Sequence, residues 1–210
     1  MTGGASSSAH LRTFIAVDPS PAVQAAVDAE AARLRAWLGR AGLAHTLRWS
    51  PATNLHCTLR FLGNTTPAQG AQVRAALQAL SPEVAPFRLT VAGVGAFPHL
   101  GNPRVLWFGL GGDVAALAAL QARVEALTVQ AGWAGETKPF AAHLTVARAV
   151  RSADRRTLQP VGDLLAQAAA TSPASLGSFA VERLIFYQSE LQPGGSRYTP
   201  LAVVPLAGAN

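Results

Sequence analysis

Two short segments of this chain share a pattern that could do chemistry. His56-Cys57-Thr58-Leu59 and His143-Leu144-Thr145-Val146 both read His, any residue, Thr, apolar. Side chains alternate across a β-strand, so His and Thr two positions apart face the same side. Cys57 and Leu59, like Leu144 and Val146, then face the opposite side and suit a core. Each motif offers one imidazole and one hydroxyl to a cleft while its other face anchors the strand. Two such strands facing each other would place two imidazoles around one bound group. In-line displacement at phosphorus needs that arrangement, with a base on the entering oxygen and an acid on the leaving one. Histidine fits both jobs because its ordinary pKa, about 6.5, lies near neutrality. The threonine hydroxyls can donate to the non-bridging oxygens, where negative charge collects.

One His-x-Thr alone carries little weight, because the motif is short. The repeat carries more, since the chain has 5 histidines and two of them share the pattern. His10, His45 and His99 fall in a tail or in loops, where solvated or turn-stabilising roles are expected. No His-Glu-x-x-His, cysteine pair or acidic cluster flanks either motif, so no metal is expected. Alternation turns Cys57 away from His56, which argues against a nucleophilic thiol. There is no Gly-x-x-x-x-Gly-Lys loop to cradle a nucleoside triphosphate, and no cofactor is expected.

The elements that must position these residues are legible from periodicity. Strands are predicted over 11–17, 47–49, 55–62, 87–97, 105–110, 143–150, 181–187 and 198–205. Helices are predicted over 21–38, with Ser20 as N-cap and Pro21 just inside it, over 67–80, over 114–131 and, more weakly, over 154–170. A loop is predicted over 98–103, and turns over 172–177 and 192–195. Several neighbouring strands have connections too short for a parallel crossover, so antiparallel pairing is required. The fold class is α+β with antiparallel or mixed sheets and flanking helices.

Composition narrows the setting. The chain has 210 residues, enough for a core without disulfides, and Cys57 is its single cysteine. A disulfide within the chain is impossible, and a cytoplasmic location is expected. Residues 1–10 read as a flexible tail without the basic start and apolar stretch of a signal peptide. No apolar run approaches the roughly 20 residues that cross a bilayer. The net charge of +6, carried by arginines and the lone Lys138, favours phosphate-bearing partners.

At the two motifs the chain resembles the 2H phosphoesterase superfamily, and most closely its bacterial branch of RNA 2′,3′-cyclic phosphodiesterases, also called 2′-5′ RNA ligases. The similar stretches are Phe14-Ile15-Ala16-Val17, the run from Asn54 to Gly63, Arg104-Val105-Leu106-Trp107, the run from Lys138 to Arg148, and Tyr198-Thr199-Pro200-Leu201. They keep the family's order over about 11–206. Cys57 stands where the family more often has an aliphatic residue. The resemblance implies one domain, 11–210, of two similar lobes related by a pseudo-twofold axis around a central groove. It implies His56 as the acid that protonates the departing 3′ oxygen and His143 as the base that activates water. The implied product is a 2′-phosphomonoester. It also implies Phe61 stacked on the terminal base and Arg148 near the phosphate. Strict alternation puts Phe61 and Arg148 on the faces opposite His56 and His143, so a bulge, a strand end or a reaching side chain is needed. Arg60, in phase with His56 and Thr58, is the rival for phosphate contact. The expected partners are RNA ends bearing a 2′,3′-cyclic phosphate, tRNA fragments among them, with no membrane and a monomeric chain. Two alternatives are ATP-independent 2′-5′ ligation of tRNA halves in the same groove and non-catalytic binding of RNA ends. The two complete motifs argue against a mere binder, which has no need of a matched acid and base.

Overall fold

Alternating apolar runs and well-capped amphipathic helices build two antiparallel sheets with helices on their outer faces. The structure of the protein, a computed structural model, describes residues 10–193 and 195–208. The flexible tail expected over 1–10 lies outside the described residues except for His10. Strands β1 (Leu11–Val17), β3 (Cys57–Thr65), β8 (Arg183–Gln192) and β9 (Gly195–Pro205) form one sheet in the order β3-β1-β8-β9. Strands β2 (Leu47–Trp49), β4 (Phe87–His99), β5 (Asn102–Gly112), β6 (His143–Ala149) and β7 (Ser178–Val181) form the other, in the order β2-β6-β5-β4-β7. Every pairing is antiparallel.

The helices are α1 (Pro21–Arg40), α2 (Pro67–Leu80), α3 (Val114–Gln130) and α4 (Arg155–Ala169). Their starts follow local chemistry. Ser20 accepts from the Val23 amide, with Pro21 in the first turn. Thr66 and Gln69 form a reciprocal capping box at α2. Asp154 accepts from the Thr157 amide at α4. Helices α2 and α3 cover the first sheet, α4 covers the second, and α1 packs on α4.

The order of elements reveals a duplication with exchange. The series β1-α1-β3-α2-β4 is followed by β5-α3-β6-α4-β8. Within each series the first two strands pair, β1 with β3 and β5 with β6. The last strand crosses over: β4 pairs with β5, and β8 with β1. The sheet cores β3-β1-β8 and β6-β5-β4 are therefore topologically equivalent, and each holds a strand from both halves of the chain. The apolar core runs continuously through both, from Ile15, Leu59 and Phe186 to Leu106, Phe108 and Leu144.

Three expectations are corrected. The predicted 98–103 loop shrinks to Leu100-Gly101, because β4 continues to His99 and β5 starts at Asn102, with Pro98 opposite Pro103. The tip of this hairpin rests on α4 at Gly162, where an added Cβ would overlap the Leu100 carbonyl oxygen. The predicted strand 181–187 is two strands, because β7 joins β4 while β8 joins β1. The strand around the first motif begins at Cys57 and runs on to Thr65, so His56 stands just before it.

Candidate active site

The site is built where the two sheets meet and β3 and β6 lie against each other. The inner residues behave as alternation requires. Cys57, Leu59, Leu144 and Val146 are buried, while His56, Thr58, His143 and Thr145 are half-buried on the groove side. The Cys57 thiol reaches the backbone of His143 and is pushed up to about 12 by burial, so it serves as packing between the two motifs.

Both imidazoles are held in the same way. Nδ1 of His56 lies 2.7 Å from the Asn54 carbonyl oxygen, and Nδ1 of His143 lies 2.7 Å from that of Ala141. A carbonyl only accepts, so each Nδ1 carries the proton and donates. That leaves Nε2 of each ring as the nitrogen free to take or give a proton. The His56 ring is packed by Phe14 at 4.7 Å between centroids and, edge-on, by Tyr198 at 5.1 Å. The His143 ring is packed edge-on by Phe97 at 5.0 Å, with Trp107 at 6.2 Å. Trp107 has room because its cross-strand neighbour is Gly95, where an added Cβ would overlap the indole.

Both histidines are pulled below their ordinary range. Burial is the main cause for each, opposed by the hydrogen bond to the carbonyl and reinforced by the positive charge of Arg148. His56 is lowered to about 4, with His143 as a further depressing neighbour. At pH 7 the groove therefore presents two neutral rings. A bound phosphate anion acts in the opposite direction and favours the charged ring.

The out-of-phase residues are explained by two bulges. In β3 the register shifts between Ile15↔Arg60 and Ala16↔Thr58, which inserts Leu59 as an extra residue. In β6 it shifts between Leu106↔Ala147 and Trp107↔Thr145, which inserts Val146. After each bulge two consecutive residues point inward, Leu59 and Arg60 in β3, Val146 and Ala147 in β6. The next residue, Phe61 or Arg148, is exposed on the groove side with its histidine and threonine. Arg148 lies near enough to both imidazoles to depress them.

Arg60, the rival for phosphate contact, is corrected. It is 5% exposed and turned inward. Its guanidinium donates to the Ala134 carbonyl and pairs with Glu125 at 3.1 Å and Glu136 at 3.4 Å. Together with the Trp133 indole, which donates to the Leu62 carbonyl, it pins segment 131–142 to β3. That segment carries Ala141, the anchor of His143.

Two cavities open at the groove. The larger, about 650 Å³, is lined by Thr58, Phe61 and His143 together with Arg104, Lys138 and Phe140. The smaller, about 210 Å³, lies beside His56 and is lined by Asp18, Asn54, Tyr187 and Tyr198. Asp18 accepts from the Tyr187 hydroxyl at 2.6 Å, and burial raises its carboxyl above the usual range despite that bond. Asp18 was not legible in the sequence because Asp18-Pro19 after the first strand reads as a simple turn. Phe14, Trp107 and Tyr198 sat inside the recurring stretches without an assigned role. Among the described residues no three His, Cys, Asp or Glu side chains come together as a metal site. His10, His45 and His99 are exposed and take no part in these cavities.

The chain as a whole is similar to known proteins. A family described as the 2′-5′ RNA ligase superfamily matches residues 14–192. An RNA 2′,3′-cyclic phosphodiesterase of Aquifex aeolicus is 33% identical over 162 residues, which is 77% of this chain and 82% of that one. The crystal structure of TT0787 of Thermus thermophilus superposes with a TM-score of 0.71 at 28% identity, over 95% of this chain and 100% of that one. E. coli LigT complexed with 3′-AMP shares the fold, with a TM-score of 0.68 at 23% identity over 94% and 98% of the two chains.

Proposed function

The chain belongs to the 2′-5′ RNA ligase superfamily, and from that membership we propose that it hydrolyses 2′,3′-cyclic phosphates at RNA ends to 2′-phosphomonoesters. The observation that carries the reading is the matched pair of imidazoles. Each is locked by an Nδ1–H bond, flanked by a threonine two residues on, and turned into one groove.

In this reading His143 Nε2 takes a proton from water as its oxygen attacks phosphorus. The bond from phosphorus to the 3′ oxygen breaks on the opposite side, and protonated His56 Nε2–H delivers its proton to that oxygen. The phosphate stays on the 2′ oxygen. Thr58, Thr145 and Arg148 hold the non-bridging oxygens as charge builds on them. Phe61 offers a ring face to the terminal base. The burial that keeps both rings neutral is overcome at His56 by the bound anion, so substrate binding at neutral pH takes up a proton. The two rings titrate as a coupled pair. Residues 11–210 act as one bilobal unit, because each sheet needs strands from both halves. None of the described helices is long and apolar enough to cross a membrane, and we place the enzyme in the cytoplasm as a monomer acting on RNA.

The test is single-turnover reaction with an RNA ending in 2′,3′-cyclic phosphate, offered alone and beside a 5′-hydroxyl strand, in EDTA. A phosphodiesterase releases a 2′-phosphate end in both mixtures. A ligase joins the strands through a 2′-5′ linkage, tRNA halves being the substrate to try. Binding without turnover would leave only an RNA-end binder and sink the proposal.

A further inference from the structure

The larger cavity holds more than the catalytic groups require. It runs from Thr58, Phe61 and His143 to two exposed cations, Arg104 and Lys138, over walls that include Phe97, Phe140 and the buried Arg60. Its volume is about 650 Å³, and it extends past the catalytic side chains to these two cations. Arg148 and His56 do not line it. Arg104 and Lys138 are thus charges additional to Arg148, the cation assigned above to the reacting phosphate.

The polar groups of this cavity divide into tied and free. Glu136 pairs with the buried Arg60, and the Gln121 amide donates to the Leu59 carbonyl. Arg104 gives one guanidinium nitrogen to the Ala153 carbonyl at 2.7 Å and keeps its remaining donors. Lys138 is exposed and has no ion pair among the described residues. The uncommitted charge is thus positive, set against apolar and flat walls. Phe61 is 43% exposed, and the Arg12 guanidinium already covers its ring at 4.5 Å from the centroid. One ring face remains, enough for one base.

We propose that this cavity is a subsite for the nucleotide 5′ to the reacting end. Lys138 and Arg104 pair with the phosphodiester that links it to the terminal nucleoside, and its base rests on Phe140 and Pro139. The inference rests on the phosphodiesterase reading and adds where the enzyme grips the RNA: one nucleotide in from the reacting end, so that a cyclic mononucleotide fills only part of the site. The cavity walls are preformed, since Arg60 and Trp133 pin segment 131–142 to β3.

The test compares kcat/KM for a 2′,3′-cyclic mononucleotide with that for the dinucleotide having the same terminal nucleoside. In the wild-type enzyme the dinucleotide is expected to be better by about tenfold, the scale of one charge-assisted contact. Lys138→Ala should bring the ratio close to one, and Lys138→Arg should restore it. A dinucleotide with an uncharged methylphosphonate link should behave as the mononucleotide does, which tests the idea without altering the protein. A wild-type ratio near one, or a ratio untouched by Lys138→Ala and by the neutral link, overturns the subsite and leaves the phosphodiesterase reading intact. If neither substrate turns over, the phosphodiesterase reading is what fails. Equilibrium binding of the 2′-phosphorylated mononucleotide and dinucleotide then decides the subsite: tighter dinucleotide binding that Lys138→Ala abolishes supports it, and equal binding overturns it.

Discussion

Strands β3 and β6 are two solutions to one problem. Both carry His-x-Thr, both bulge at the same distance after the threonine, and both turn the fifth residue after the histidine back into the groove. They differ in what the bulge delivers. In β3 the outward residue is an aromatic, Phe61, and the inward one is the charged Arg60. In β6 the outward residue is a cation, Arg148, and the inward one is Ala147, fully buried. A symmetric backbone therefore presents an asymmetric groove, with an aromatic face on one side and a positive charge on the other. The support under each ring differs too. Phe14 packs on His56 from the β1 position opposite Phe61, whereas Trp107 approaches His143 from the β5 position opposite Thr145. Duplicated scaffolds keep backbone geometry because bulges are set by register, while side chains are free to diverge.

The comparison is broken most severely at the shared element. His56→Ala and His143→Ala should each lower turnover by at least about a hundredfold, and the double variant should be little worse than either, since acid and base act as one unit. Single-turnover rates decide it: a folded single variant with near-normal rate would remove the two-histidine mechanism.

The next largest effect belongs to the inward difference. Arg60→Ala leaves Glu125 and Glu136 without their cation and should cost about 3 kcal/mol of stability, the lower range for breaking a buried pair because both carboxylates can rehydrate. Ala147→Gly, at the equivalent place, removes a single methyl and should cost only about 1 kcal/mol. Denaturant unfolding measures both, and equal costs would mean that the ion-pair cluster is not what holds segment 131–142.

The hydroxyls should behave alike in the two halves. Thr58→Val and Thr145→Val keep shape and should each lower kcat by at least about tenfold through lost donation to the phosphate oxygens. Full activity in both would confine the threonines to a structural role.

The outward residues should separate kinetically. Phe61→Ala should raise KM by about tenfold with little change in kcat, as loss of one base stack does. Arg148→Gln should act mainly on kcat, because its charge matters most where negative charge develops. The same KM-only change in both would erase the proposed division of labour.

A last effect is on stability against pH, and it vanishes at neutrality. His56, lowered to about 4 in the folded protein, stays neutral where an unfolded histidine of pKa about 6.5 becomes charged. The unfolded chain then binds more protons, so this contribution is complete above about pH 6.5 and is lost as pH falls toward 4, by about 3 kcal/mol at most. His56→Asn should flatten the acid limb of stability in urea titrations between those pH values. An unchanged slope would mean that the ring is not held neutral by burial.

The sequence alone determined whatever depends on local periodicity and capping. The first helix begins behind its expected Ser20 cap and the second at Pro67, and His-x-Thr phasing put both imidazoles and both hydroxyls on one side of the chain. It also carried the α+β class, because short connections force antiparallel pairing. Tertiary structure decided the rest. No local pattern announces a bulge, since a bulge is a mismatch in count between a strand and its partner. So strict alternation turned Phe61 and Arg148 away from the groove and Arg60 into it, and the register of β1 and β5 reversed all three. The exchange of β4 and β8 between sheets was equally hidden, because which strand pairs with which is settled by long-range packing of faces that look alike in sequence.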